Sequence, residues 1–241
     1  MAVPAAGQAV VLLHGLGRSP NSMRPVARAL TARGYLVFNL GYRSRSAKIR
    51  TLAESVARDI AGIPSSRPLH FVTHSLGGVL LRVAVADRQI PLARVGRVVM
   101  LGPPNGGSHV ADFFSRRGML RNFYQSVTGP AGLELGVESA GVIGTLPALP
   151  FETGIIAGSR SVNPLLSLVL PGPNDGKVSV AQAAAPGMRG FIVVPHSHPF
   201  LMRADVVLAQ TLAFLATGAF IADGGTEPAR AGYHSADRER R

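Results

Sequence analysis

The segment from Leu69 to Leu81 constrains the fold of this chain more than any other. A mostly apolar run ends abruptly at Ser75, two glycines follow, and an apolar pattern with helical spacing then begins. This order predicts a strand, a sharp turn and a helix, with Ser75 at the tip of the turn. Such a turn lifts the serine hydroxyl clear of the sheet and directs the first free N–H groups of the helix toward the same point. The segment therefore predicts a nucleophilic serine beside donors for an oxyanion.

Length and composition place this segment within one large domain. The chain has 241 residues, of which 46% are apolar and 16% charged, so it can bury a sizeable core. It contains no cysteine, which excludes disulfides, thiolate metal sites and cysteine nucleophiles. We expect a single domain over residues 1–221 and a polar, disordered tail over residues 222–241. The N-terminus has no basic segment leading into a long apolar one, so we expect no signal peptide and a cytoplasmic protein, with secretion of a processed form as the alternative.

The net charge of +12 comes almost entirely from arginine. A strongly basic chain can bind nucleic acid or an anionic membrane. The arginines are scattered and few aromatic residues accompany them, which favours exposed helix faces over a nucleic-acid site. One local cluster consists of Arg43, Arg45, Lys48 and Arg50. We therefore expect no nucleic-acid partner, and a peripheral contact with an anionic membrane surface stays open.

Short apolar runs alternate with helical patterns along the first hundred residues. The β-α-β-α-β-α-β order predicts a mostly parallel central sheet with helices on both faces. Thr51-Leu52-Ala53-Glu54 has the pattern of a capping box, which predicts that the second helix begins there. The predicted strands comprise residues 9–13, 35–40, 69–73, 97–101, 154–158 and 190–194, and a final helix is predicted over residues 204–217.

The regular pattern breaks over residues 102–150. Glycine, proline and isolated apolar patches dominate there. An insertion of this length between strands is typical of a lid or substrate cap, and the alternative is an ordinary helical excursion that covers the sheet edge. The apolar patches between residues 113 and 146 favour a lipid-like or aromatic substrate.

A serine hydroxyl becomes a good nucleophile when a base takes its proton and an acid orients that base. Asp175 lies in a turn after the fifth predicted strand, and His198 lies in the loop after the sixth. The C-terminal ends of parallel strands open on one edge of a sheet, so these side chains can converge on Ser75. The sequence therefore predicts Ser75, Asp175 and His198 as nucleophile, acid and base.

Each of the two partners has competitors. His196 lies two positions before His198, but Pro199 follows His198 and would fix its orientation. His74, beside the serine, is better suited to shaping the turn than to acting as the base. The competing acids come before the fifth predicted strand, which favours Asp175 over them: Asp112, Glu134, Glu138 and Glu152.

The loop after the first strand, His14-Gly15-Leu16-Gly17, is suited to a second oxyanion donor. Its glycines allow the backbone to approach a substrate closely, and the N–H of Leu16 would act beside that of Leu76. The loop is not a Walker phosphate loop, because no Gly-Lys-Ser/Thr follows, and no dinucleotide fingerprint is present. We therefore expect no cofactor and no metal site.

These motifs, in this order, resemble the α/β-hydrolase superfamily, and in particular its small bacterial lipase- and esterase-like members. The resemblance covers residues 9–217 and implies an α/β-hydrolase fold, a Ser75–Asp175–His198 triad and oxyanion donors at Leu16 and Leu76. Thr73 departs from the G-x-S-x-G pattern, which affects the packing of the turn more than the chemistry. The segments that carry the resemblance are Val11–Leu16, Thr73–Gly78, Leu101–Ser108, Asn174–Val178 and Ser197–Phe200.

The function expected from these residues is a serine ester hydrolase, either a carboxylesterase or a lipase, that works through an acyl-enzyme intermediate. Its partner would be a small-molecule ester. Acyl transfer or amide hydrolysis on the same triad is one alternative. A non-catalytic binding protein with a hydrolase fold is the other.

Overall fold

The structure is a computed structural model, and it describes residues 7–222 except 117, 138–140, 163–166 and 168. Six parallel strands form one sheet in the order β2-β1-β3-β4-β5-β6. The predicted parallel sheet is confirmed. The predicted tail lies outside the described residues, apart from residue 222. The strands are β1 Ala9–Leu13, β2 Leu36–Leu40, β3 Leu69–His74, β4 Val95–Leu101, β5 Thr153–Gly158 and β6 Gly190–Val194.

Seven α-helices connect and cover these strands in the described part of the chain. Short 3-10 turns precede the first helix at Pro20–Met23 and the last at His198–Arg203. Two more lie at Leu92–Arg94 and Val142–Thr145. The helices are α1 Arg24–Thr31, α2 Ile49–Ala61, α3 Leu76–Ala86, α4 His109–Ser115, α5 Gly118–Leu133, α6 Val180–Ala183 and α7 Asp205–Thr217.

The sheet is buried on both faces, which explains why its strands are continuous apolar runs. Alternate residues of a strand point to opposite faces. Val11 and Leu13 therefore join the core beneath α2 and α3, whereas Val10 and Leu12 join the core beneath α1 and α7. All five residues of β1 are buried.

The strand register brings several loops to one edge of the sheet. Leu13 pairs with Thr73, so the loops after β1 and β3 start side by side. The chain leaves β1 toward β2 on one side and leaves β3 toward β4 on the other. A crevice forms at the carboxyl ends of strands where the order reverses in this way. The fold thus positions the His14 loop next to Ser75.

Helix α2 begins at Ile49 and not near Thr51, so the capping-box prediction is wrong. Lys48 is the N-cap residue and makes no side-chain cap bond. Instead, the Ile49 N–H donates to Glu134 Oε2 at 2.7 Å. A carboxylate from a distant segment takes the role that the sequence pattern assigned to a local side chain.

The 102–150 segment is more regular than its sequence pattern indicates, because it contains α4 and α5. Ser108 caps α4 by accepting from the Ala111 N–H. Helix α5 is broken at Gly129, where φ is 72°. A Cβ at Gly129 would lie 2.0 Å from the Arg45 carbonyl oxygen, so only glycine fits there. The end of α5 is thereby held against the loop that follows β2.

Candidate active site

Ser75 has the backbone geometry of a strained turn. Its φ of 52° and ψ of −122° are unusual for a residue with a side chain. The strand before it and helix α3 after it hold it there, and its N–H donates to the Leu101 carbonyl at 2.9 Å. A Cβ on Gly77 would lie 2.6 Å from the Leu13 carbonyl, so glycine lets α3 start against β1. Strain of this kind costs about 1–3 kcal/mol and is concentrated at functional sites.

Thr73 is accommodated by the second glycine after the serine. The side chain is fully buried. The G-x-S-x-G pattern has a glycine at position 73, so the threonine side chain needs extra space. Gly78 provides it, because a Cβ on Gly78 would lie only 3.1 Å from Thr73 Oγ1. The departure from the G-x-S-x-G pattern is thus compensated five residues later.

Asp175 and His198 form a buried pair. The His198 Nδ1 lies 2.6 Å from Asp175 Oδ2, and the two side chains are 3% and 1% exposed, respectively. The other carboxylate oxygen accepts from the N–H groups of Lys177 and Val178 at 3.0 and 2.9 Å. With Nδ1–H donating to the carboxylate, the neutral ring keeps Nε2 as its proton acceptor. The pair thus has the tautomer that a general base requires.

Two backbone features fix this pair in place. The His198 N–H donates to the Asp175 carbonyl at 3.0 Å. Gly102, with a φ of 53°, lies directly behind, and a Cβ there would be 3.0 Å from Asp175 Oδ2 and 3.1 Å from His198 Nδ1. The glycine of the Leu101–Ser108 motif therefore leaves room for the acid and the base.

His74 supports the same loop. Its Nε2 donates to the His198 carbonyl at 3.1 Å, and the two rings are 4.7 Å apart between centroids. Burial, and next the charge of His198, hold the pKa of His74 well below its usual value. The ring is therefore a neutral donor that positions His198. Sequence reasoning assigned it to the shape of the turn and did not identify this bond.

The competing residues have other contacts. His196 is only half-buried, and its carbonyl accepts from the Arg160 N–H. Asp112 Oδ2 accepts from the Val137 N–H at 2.8 Å, and Glu134 caps α2. Glu152 pairs with Arg97 and Arg189 on the surface, and Glu138 lies outside the described residues.

The predicted oxyanion loop lies against Ser75. A Cβ on Gly15 would lie 2.7 Å from His74 Nδ1 and 3.1 Å from Ser75 Cβ. Within the described part of the chain, neither the Leu16 N–H nor the Leu76 N–H donates to a protein acceptor. Two backbone donors thus remain available beside the serine.

Tyr42 and Ser44 hold this loop, and sequence reasoning missed both. The Tyr42 ring stacks on His14 at 4.1 Å, and its hydroxyl donates to the His14 carbonyl. Ser44 Oγ accepts from the Gly17 N–H at 2.9 Å. Burial lowers the pKa of His14, which keeps the stacked ring neutral. The sheet topology could have identified them, because residues just after the edge strand β2 must lie beside the loop that follows its neighbour β1.

A cavity of about 250 Å³ opens above the serine and the histidine. Ser75, His74 and His198 are among its polar lining residues. Helices α4 and α5, with the segment that follows, supply apolar walls, in which Phe114 stacks on Tyr124 at 5.1 Å. The apolar residues contributed from this segment are Val110, Phe114, Phe123, Tyr124, Val127 and Leu135.

Two further properties concern the described residues as a whole. No group of three histidine, aspartate or glutamate side chains among them could hold a metal ion. None of the helices they form is long and apolar enough to cross a bilayer.

A family model described as "Alpha/beta hydrolase family" matches residues 10–219. The chain therefore belongs to the alpha/beta hydrolase family, as its fold and the Ser75 turn indicate. No functionally curated protein sequence matches it.

Solved structures agree with this assignment. The lipase BlEst2 of Bacillus licheniformis is similar with a TM-score of 0.70 and 20% identity in its propeptide form, over 91% of this chain and 53% of that one. The mature form of the same lipase has a TM-score of 0.67 and 18% identity, over 90% of this chain and 94% of that one. A metagenomic carboxyl esterase has a TM-score of 0.62 and 20% identity, over 91% of this chain and 73% of that one. The chain thus spans about half of the propeptide form, and at these identities the similarity establishes the fold alone.

Proposed function

We propose that this chain is a serine ester hydrolase, a carboxylesterase or lipase, in which Ser75, Asp175 and His198 form the catalytic triad. The observation that carries the proposal is the shared cavity. Ser75 and His198 line it together, and His198 is bonded at 2.6 Å to the buried carboxylate of Asp175. The lipase and esterase folds of the structural neighbours support the same class of reaction.

In the first half of the reaction, Ser75 Oγ attacks the ester carbonyl while His198 Nε2 takes its proton. The N–H groups of Leu16 and Leu76 stabilise the oxyanion that forms. The carbon–oxygen bond to the alcohol then breaks, and His198 returns its proton to the leaving alcohol. Asp175 stabilises the protonated ring throughout.

In the second half, a water molecule attacks the acyl-enzyme and gives its proton to His198. The bond between the acyl carbon and Ser75 Oγ breaks, and the proton passes to the serine. A carboxylic acid leaves, and the site is restored. The same intermediate transfers its acyl group to an alcohol or amine if one replaces water, which is the alternative reaction.

The cavity walls favour a lipid-like acyl chain. They are formed by apolar side chains of α4 and α5. Helix α5 also has a row of exposed apolar residues, with Met119 exposed by 88%, Phe123 by 64% and Val127 by 50%, and Phe123 and Val127 of this row also line the cavity. Three apolar residues at four-residue spacing lie on one helix face. Such a face is suited to contact with a lipid surface, and a phospholipase is among the structurally similar proteins.

A series of p-nitrophenyl esters of increasing chain length tests the proposal. We expect hydrolysis by the wild-type protein and a loss of at least about 10⁴-fold in Ser75→Ala. A fluorophosphonate probe should label the wild type and not the variant. Absence of hydrolysis, or activity that survives in Ser75→Ala, would contradict the assignment. A rate that rises sharply once the ester forms a separate lipid phase would identify a lipase, and ester products formed with added alcohols would identify acyl transfer.

A further inference from the structure

Four cations line either the active-site cavity or the groove beside it. Arg18 and Lys177 line the cavity that contains Ser75. Arg18 also lines a second, open groove of about 1000 Å³, together with Arg43 and Arg45. The two spaces are therefore adjacent and share one guanidinium. No aspartate or glutamate among the described residues lines either of them.

Among the described residues, Arg18 and Lys177 lack the carboxylate partners that several other cations of the chain have. Arg50, Arg97 and Arg189 are paired with carboxylates. Within the described part of the chain, the side chains of Arg18 and Lys177 make no ion pair and no hydrogen bond. Asp175, two residues from Lys177, already uses both oxygens for His198 and for backbone N–H groups.

The two cations also act on each other and on the site. Burial, and next the charge of Arg18, lower the pKa of Lys177, and the nearby carboxylate of Asp175 offsets part of this effect. Both cations contribute to the lowered pKa of His74. Unpaired like charges that repel each other near a catalytic serine destabilise the empty site. An anion bound between them would remove that repulsion.

The open groove supplies further hydrogen-bonding groups. The polar side of α5 faces it with Asn122, Gln125 and Ser126, and Ser46 lies on the opposite wall. The cavity beneath α4 and α5 is apolar, whereas the groove outside it is cationic and polar. A ligand that extends through both would have an apolar end and an anionic, hydrophilic end.

We propose that Arg18 and Lys177 bind an anionic group, a carboxylate or a phosphate, on the alcohol part of the ester, and that the groove beyond Arg18 takes the rest of that alcohol. The inference rests on the proposed ester hydrolysis. The acyl chain then lies against the apolar walls, the carbonyl lies at Ser75, and the charged alcohol lies at the open mouth. The alcohol leaves through the groove while the acyl group stays on the serine.

The test compares two soluble esters of similar shape, 4-hexanoyloxybenzoate with an anionic carboxylate and 4-hexanoyloxybenzamide with a neutral carboxamide at the same position. We expect the ratio of kcat/KM for the anionic ester to that for the neutral one to fall about 10- to 100-fold in Arg18→Gln/Lys177→Gln. The ratio in the wild type should also fall with added salt, because exposed charges are screened. Arg28→Gln/Arg58→Gln, which removes two exposed charges on α1 and α2, should keep the wild-type ratio.

Two more measurements separate the outcomes. Calorimetry of Ser75→Ala with hexyl phosphate needs no hydrolysis, and adding the two cation substitutions should weaken binding at least about 10-fold. If hexyl phosphate binds in this way but no ester is cleaved, the proposed function is wrong and the anion site stands. A charge preference seen only with phosphatidylglycerol over phosphatidylcholine vesicles identifies a lipid as the source of the anion, and one seen with the soluble pair identifies a soluble ester. Ratios and affinities that the cation variant leaves unchanged overturn the inference.

Discussion

Gly15 lies at the point where the oxyanion loop, the serine and the supporting histidine meet. The space left by its missing side chain is bounded by His74 Nδ1 and by Ser75 Cβ. The loop itself is held from the other side by Tyr42 and Ser44. The position of the Leu16 N–H relative to the serine therefore depends on the absence of a side chain at residue 15.

Gly15→Ala should displace the loop and lower kcat about 100-fold, because a misplaced oxyanion donor loses most of its effect. Ester hydrolysis and thermal unfolding of the same preparation would be measured together. Gly144→Ala is the matched control, since a Cβ at Gly144 meets no atom within 4 Å. Equal activity of the two variants would show that the loop does not need close contact with Ser75.

At the scale of elements, the segment over residues 102–150 is joined to the rest of the fold by specific contacts at one end of α5. Gly129 packs on the Arg45 carbonyl, and Glu134 accepts from the first N–H of α2. The apolar residues at 119, 123 and 127 are exposed. The C-terminal end of α5 is therefore fixed to the rest of the fold, whereas its exposed apolar residues lie nearer its N-terminal end.

Glu134→Ala should lower the free energy of unfolding by about 1 kcal/mol, because the N-terminus of α2 loses both an acceptor and a favourable negative charge. Glu134→Gln keeps an acceptor and should lose about half as much. Urea unfolding would measure both. Glu54→Ala, at an exposed acid on the same helix, should change stability by less than about 0.5 kcal/mol. A loss in the control as large as in Glu134→Ala would contradict the capping role.

At the scale of the whole molecule, three histidines are kept neutral inside the fold. His14, His70 and His74 are 0%, 4% and 1% exposed. Burial is the main cause of the lowered pKa in each, and for His70 the charge of Arg97 adds to it and the pKa falls to about 4. The unfolded chain takes up protons near pH 6.5, where these buried rings do not. The stability that these neutral rings contribute is therefore full above about pH 6.5 and is lost as the pH falls below it, for His70 down to about pH 4.

His70 provides a test of this pH dependence. Because the unfolded chain protonates His70 below pH 6.5 and the folded chain does not, the free energy of unfolding should fall by about 1.4 kcal/mol per pH unit there. Lowering the pH from 7.5 to 5 should therefore cost about 2 kcal/mol through His70. In His70→Asn, an amide oxygen can replace Nδ1 as the acceptor of the Arg97 N–H, which is bonded at 2.8 Å. The variant should thus lose about 2 kcal/mol less than the wild type when urea unfolding at pH 7.5 and pH 5 is compared. An equal loss in both proteins would show that His70 does not carry this dependence.

The sequence by itself determined the parallel sheet and the order of the chemical groups along it. Apolar runs buried on both faces have few alternatives to parallel strands, and such strands bring their following loops to one edge. Ser75, Asp175 and His198 could therefore be selected together, although His196 and four other acids were close in type and position. What made the choice possible was local, since each residue follows a recognisable strand or turn.

Only the tertiary structure decided which distant groups complete these elements. Glu134 caps a helix that begins 85 residues earlier, Gly78 makes room for Thr73, and His74 bonds to the carbonyl of His198. Arg18 and Lys177 meet at one cavity although about 160 residues of chain separate them. These contacts depend on shape and distance between segments, and no local pattern of residues encodes them, whereas the strands and turns follow from neighbours in the chain.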